Sequence, residues 1–184
     1  MIRIRLSRLL AAVAVLTLTT FASASAVAST SAPNQLPTIG LPPGKFLLIG
    51  DVARPQILDV TALQAMPSRT ITVTFKAGGS SETHTYIGPR LVDVLAQAGP
   101  QFDPAIKNDK LRHFISVGAA DGYRALVAYG EIDPNFENKD VLLATREDGR
   151  SLATDGPRLV VPGDIAGGRY VTNVVRVFFQ KPAL

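Results

Sequence analysis

The sequence predicts a strand-rich mixed α+β fold with a few short helices, and three observations carry that prediction. Thr70 to Lys76 alternates strictly, with Ile71, Val73 and Phe75 on one side and Thr70, Thr72, Thr74 and Lys76 on the other, the period of a half-buried strand. Arg158 to Val161 is a short apolar run clamped between Gly156-Pro157 and Pro162-Gly163, breakers that make it a brief buried strand. Tyr170 to Gln180 is apolar on both faces, so it belongs in the middle of a sheet.

In chain order, Met1 to Ala28 reads as a cleaved export signal. Arg3, Arg5 and Arg8 precede the apolar run Leu9 to Leu18, and Ala26-Val27-Ala28 fits the small-x-small cleavage pattern. The apolar core is short of the roughly 20 residues that span a bilayer, so no membrane span is expected once the signal is removed. Arg3 and Arg5 are not adjacent, so the twin-arginine signature is missing and a general secretory route to the periplasm or the exterior is expected. Residues 29–44, rich in Ser, Thr, Ala and Pro, form a linker or wrapped arm. The remaining residues, 45–184, are long enough for one domain with its own core.

Within that domain, Phe46 to Val52 is the first strand, and Thr61 is placed to cap a short helix that Pro67 ends. After the alternating strand, a loop over Ala77 to Glu82 leads to a partner strand at Thr83 to Ile87. Leu91, Val94, Leu95 and Ala98 recur at helical spacing until Gly99-Pro100 stops them. Leu111 to Ala119 and Tyr123 to Tyr129 form a hairpin about Asp121-Gly122, and Val141 to Thr145 is a further apolar strand before a turn at Asp148-Gly149.

Composition excludes several function classes. The chain of 184 residues carries 19 Lys and Arg against 15 Asp and Glu, but three of the arginines lie in the export signal. The mature charge is close to neutral, and nothing points to nucleic acid. With no cysteine, there is neither a disulfide framework nor a thiolate for a metal. His84 and His113 are the only histidines, and no H-E-x-x-H or C-x-x-C spacing is present, so no metal site is expected. Serine hydrolysis lacks a G-x-S-x-G elbow, and the sequence identifies no catalytic residue.

The stretch that carries most chemistry is Asp155 to Tyr170, D-G-P-R-L-V-V-P-G-D-I-A-G-G-R-Y, in which Arg158 and Arg169 flank a glycine-rich loop. Guanidinium forks beside free backbone N–H groups suit an anion. G-P-R-L-V-V-P-G-D followed by G-G-R-Y-V resembles the closing motif of sulfite-oxidase-type molybdopterin-binding domains. Leu48 to Pro55, Tyr86 to Gly99 and the D-G-Y turn within Ala120 to Tyr123 extend the resemblance over most of the chain after the signal. It implies that family's fold, and a pterin pocket walled by Arg158, Arg169 and Tyr123, with His84 and Tyr170 beside it.

The departures from the family are specific. The molybdenum-ligating cysteine would fall near Phe75 to Gly79, where the chain reads F-K-A-G-G. The lysine and tryptophan of the closing motif fall at Thr172 and Asn173. A soft metal wants the missing thiolate. The expectation is therefore a cofactor-free or weakly binding exported module for a small anion or an envelope protein partner. Its alternative is a molybdopterin-dependent oxidoreductase, with molybdopterin implied by the resemblance alone.

Overall fold

A computed structural model describes residues 40–182. The export signal and most of the linker lie outside the described residues. Five strands form the larger sheet, in the order β2 (Gln56–Asp59), β1 (Lys45–Gly50), β11 (Val174–Gln180), β5 (Phe114–Ala119) and β6 (Arg124–Ala128). The pairing of β1 with β11 is parallel and the others are antiparallel. Thus the last strand takes the central position that its two-sided apolar character demands. Phe46, Leu48, Ile115, Val117, Val177 and Phe179 are fully buried in the core that this sheet shares with α2 (Leu91–Ala98).

Helix α2 follows its apolar spacing closely. Leu91, Val94, Leu95 and Ala98 are all fully buried, and Gly99 ends the helix in the left-handed conformation at φ 70°. Helix α1 (Val60–Gln64) is capped by Asp59, not by Thr61 as the sequence suggested. Asp59 is extended where it closes β2, and its Oδ1 accepts from the Ala62 amide at 2.8 Å, while Thr61 lies inside the first turn. Among the described residues, no helix is long and apolar enough to cross a membrane.

A second sheet runs β3 (Arg69–Ala77), β4 (Ser80–Gly88), β8 (Arg146–Glu147), β9 (Arg150–Ser151), all antiparallel. A short pair, β7 (Leu142–Ala144) with β10 (Arg158–Val160), lies between the two cores. Leu143 and Leu159 of this pair enter the larger core, whereas Leu142, Ala144 and Val160 join Val73, Phe75, Tyr86, Leu152 and Tyr170 in a smaller one.

Three boundaries differ from the sequence reading. The expected loop over Ala77 to Glu82 is only Gly78-Gly79, both at positive φ, so β3 and β4 continue to a two-residue turn. Leu111 and Arg112 belong to a 3-10 turn, Asp109–Arg112, that precedes β5. The final strand starts at Val174 rather than Tyr170, because Gly167–Arg169 forms another 3-10 turn and Asn173 adopts φ 48°.

Candidate functional site

The register of the β3–β4 hairpin decides which side chains meet. Ile71 pairs with Tyr86, Val73 with His84 and Phe75 with Glu82, so these six side chains share one face. The threonines share the other, where Thr72 meets Thr85 at 3.0 Å and Thr74 meets Thr83 at 2.8 Å. On its far side β4 pairs with β8, which sets Glu147 opposite Tyr86 and brings the Asp148-Gly149 turn beside His84. His84 is therefore not on a sheet edge, where its polar neighbours in the sequence would put it, but between two strands.

A dense ionic cluster results. His84 Nδ1 lies 2.7 Å from Asp148 Oδ2 and 3.7 Å from Glu147 Oε1, and His84 Nε2 lies 3.4 Å from Glu82 Oε2. The Thr85 amide donates to Asp148 Oδ1 at 2.8 Å, which fixes that carboxylate. The hydrogen bond to Asp148 raises the His84 pKa above the usual imidazole value, with Glu82 adding to it against the opposing effect of burial. Asp148 is held low by the Thr85 amide and by His84.

Glu147 joins this cluster to Arg158. Its Oε1 accepts from the Tyr86 hydroxyl at 2.9 Å and from Arg158 Nη1 at 2.6 Å, and the guanidinium stands 5.6 Å from the centre of the Tyr86 ring. Burial drives the Tyr86 phenol well above its ordinary pKa, so it is a neutral donor. The ion-pair partner of Arg158 is thus Glu147. Asp155 pairs with Arg150.

Beside Arg158 opens a polar cleft of about 340 Å³, lined among others by Arg150, Thr154, Gly156, Thr172 and Asn173. Arg158 Nε is buried and has no hydrogen-bond partner, although Nη1 is occupied. Tyr170 is 6% exposed, and its hydroxyl likewise finds no partner. Burial raises its pKa. The Tyr170 ring stacks on Phe75 at 4.1 Å, and Phe75 in turn stacks on His84 at 5.8 Å.

Arg169 and Tyr123 take a different place. Arg169 binds Asp164 through Nε at 2.8 Å and Nη2 at 2.6 Å, and holds both Glu131 oxygens at 3.1 Å through Nη1. All three of those nitrogens are spent within the protein. Tyr123 is 51% exposed, and its hydroxyl donates to the Gly168 carbonyl. Of the five candidates, His84, Arg158 and Tyr170 thus gather around Tyr86, while Tyr123 and Arg169 pin the Gly167-Gly168 loop. The sequence reading missed Glu147 and Tyr86, whose roles follow from pairing across more than sixty residues of chain.

The fold and these motifs place the chain in a known family. Residues 45–182 match the oxidoreductase molybdopterin binding domain, and the chain belongs to that family. Among solved structures it is similar to the sulfane dehydrogenase SoxCD from Paracoccus pantotrophus, with 22% identity and a TM-score of 0.60. The match covers 76% of this chain and 39% of that one, so the chain spans about two-fifths of the SoxCD chain. No curated protein matches it.

The residues at the position of the family's thiolate do not fit a molybdenum ligand. The segment where the thiolate would fall holds Phe75, buried and stacked, and Lys76, whose amide donates to Ile165 O at 2.8 Å. Gly78 and Gly79 complete it as a bare turn. Gly167 lies so close that a Cβ there would sit 2.8 Å from Phe75 Cδ2, so protein packing closes this spot. No donor in the segment is soft enough to replace a thiolate.

Proposed function

We propose that the chain is an exported member of the family that has lost the molybdenum site and binds a small anionic ligand in the cleft beside Arg158. The observation that carries this reading is the Arg158 guanidinium, about one-fifth exposed, on the wall of a polar cleft of about 340 Å³. An oxyanion in the cleft meets the exposed part of that guanidinium, and a charged hydrogen bond of this kind contributes about 1.5–3 kcal/mol. Thr154, Thr172 and Asn173 on the same wall add neutral hydrogen-bonding groups. The alternative, a molybdopterin-dependent oxidoreductase, is supported by the family and opposed by the donor set at Phe75 to Gly79.

Because the similar SoxCD chain is a sulfane dehydrogenase, sulfur oxyanions head the panel of probes. Calorimetric titration with sulfite, thiosulfate, sulfate, phosphate and acetate tests the reading. At least one is expected to bind, and Arg158→Ala to weaken it roughly 10- to 100-fold, the worth of one or two charged hydrogen bonds. Arg158→Lys, which keeps the cation on Glu147, separates lost binding from lost folding. Unchanged affinity in both variants for every anion that binds would remove Arg158 from the site.

A further inference from the structure

The cluster at the β4–β8 junction shares Glu147 with the lining of the anion cleft and has a further use of its own. We propose that His84, Asp148 and Glu147 form a binding site for a divalent cation of the zinc class. One ligand atom from each residue lies within 4.8 Å of the others. Zinc bonds to nitrogen and oxygen of about 2.0–2.2 Å set neighbouring ligands of a tetrahedron roughly 3.3–3.6 Å apart. The observed separations, 2.7 Å from His84 Nδ1 to Asp148 Oδ2 and 3.7 Å to Glu147 Oε1, bracket that edge.

The outer groups are those that a metal site needs. A ligating imidazole gives its second N–H to a carboxylate, and Glu82 Oε2 is placed for that at 3.4 Å from His84 Nε2. Asp148 keeps Oδ2 toward the histidine because the Thr85 amide holds Oδ1. Glu147 Oε1, the oxygen that faces His84, is held in place by the Tyr86 hydroxyl and by Arg158 Nη1. Three carboxylates face one guanidinium here, so with neutral His84 the cluster carries a surplus of negative charge that a dication offsets. His84 is about one-quarter exposed and Asp148 about half, which leaves a coordination position open to solvent.

Imidazole with two carboxylates suits zinc, cobalt or manganese better than calcium or magnesium, which take oxygen alone. The three ligands come from two segments more than sixty residues apart in the chain, and this is why no linear spacing announced them.

Equilibrium dialysis and calorimetry of the chelator-stripped chain with Zn²⁺ alone test the site. One Zn²⁺ per chain is expected, with binding at least tenfold weaker in His84→Ala and Asp148→Asn. Glu82→Gln should weaken it roughly 10- to 100-fold, as outer-shell changes do. Asp93→Asn, remote from the cluster, should leave it unchanged. Should His84→Ala fail to fold, the imidazole resonances of the unaltered protein decide, since Zn²⁺ must shift His84 and leave His113 in place. No Zn²⁺ binding by the intact chain, or equal binding in the His84 and Asp148 variants, or a shift of His113 only, would overturn the proposal. Neither result depends on anion binding, so failure here leaves the Arg158 cleft to its own test.

Discussion

Arg158 and His84 are legible in the sequence as candidate residues, but their partners are not. Glu147 reaches Arg158 and Tyr86 only because β4 and β8 pair, and a local pattern carries no record of such pairing. Arg169 illustrates the converse, since its flanking glycines suggested a ligand while its charge is spent on Asp164 and Glu131. Among the aromatic residues, Tyr129 gives a measurable signature. It is buried in the larger core near Asp133, and burial pushes its phenol up to about 12. An unfolded tyrosine ionises near 10, so this group's contribution to stability is whole below about pH 10 and is lost as the pH rises through about 12. Absorbance titration should therefore show late phenol ionisation accompanied by unfolding, with Tyr129 contributing beside Tyr86 and Tyr170. Tyr129→Phe should remove one phenol's share of that late change in absorbance and leave the rest of the titration in place.

At the scale of elements, strands with a clean period and helices with a clean stop were readable. The Ile71, Val73, Phe75 face and the Gly99 stop are both where the pattern put them, because solvent and core impose local periods. The last strand was readable as central, but its start was not. Tyr170 has the composition of a strand, yet its ring is taken by Phe75 and its amide by the Gly167 carbonyl. The packing of Phe75 also makes Gly167 a sensitive position, because a methyl there meets the Phe75 ring at 2.8–2.9 Å. Gly167→Ala is expected to destabilise the domain by about 1–3 kcal/mol, as overpacking does, with denaturant unfolding as the measure. Gly78→Ala lies in open space and meets no such wall, though its positive φ adds strain of its own.

At the scale of the molecule, the first and last strands of the domain pair in parallel at the centre of one sheet. A topology that closes the chain on itself is invisible to local reading, which placed only the last strand as central. The resemblance placed fold and family together, while the missing cysteine marks where this chain departs from the family's pattern. Phe75, Lys76 and the Gly78-Gly79 turn fill that position with packing in place of a ligand. The decisive measurement is the molybdenum, tungsten and pterin content of the chain purified from its native cells, by elemental analysis and fluorescence of the oxidised extract. Neither metal nor pterin is predicted to accompany it. Molybdenum or tungsten near one per chain, together with pterin, would contradict the loss of the site and require a ligand set without thiolate.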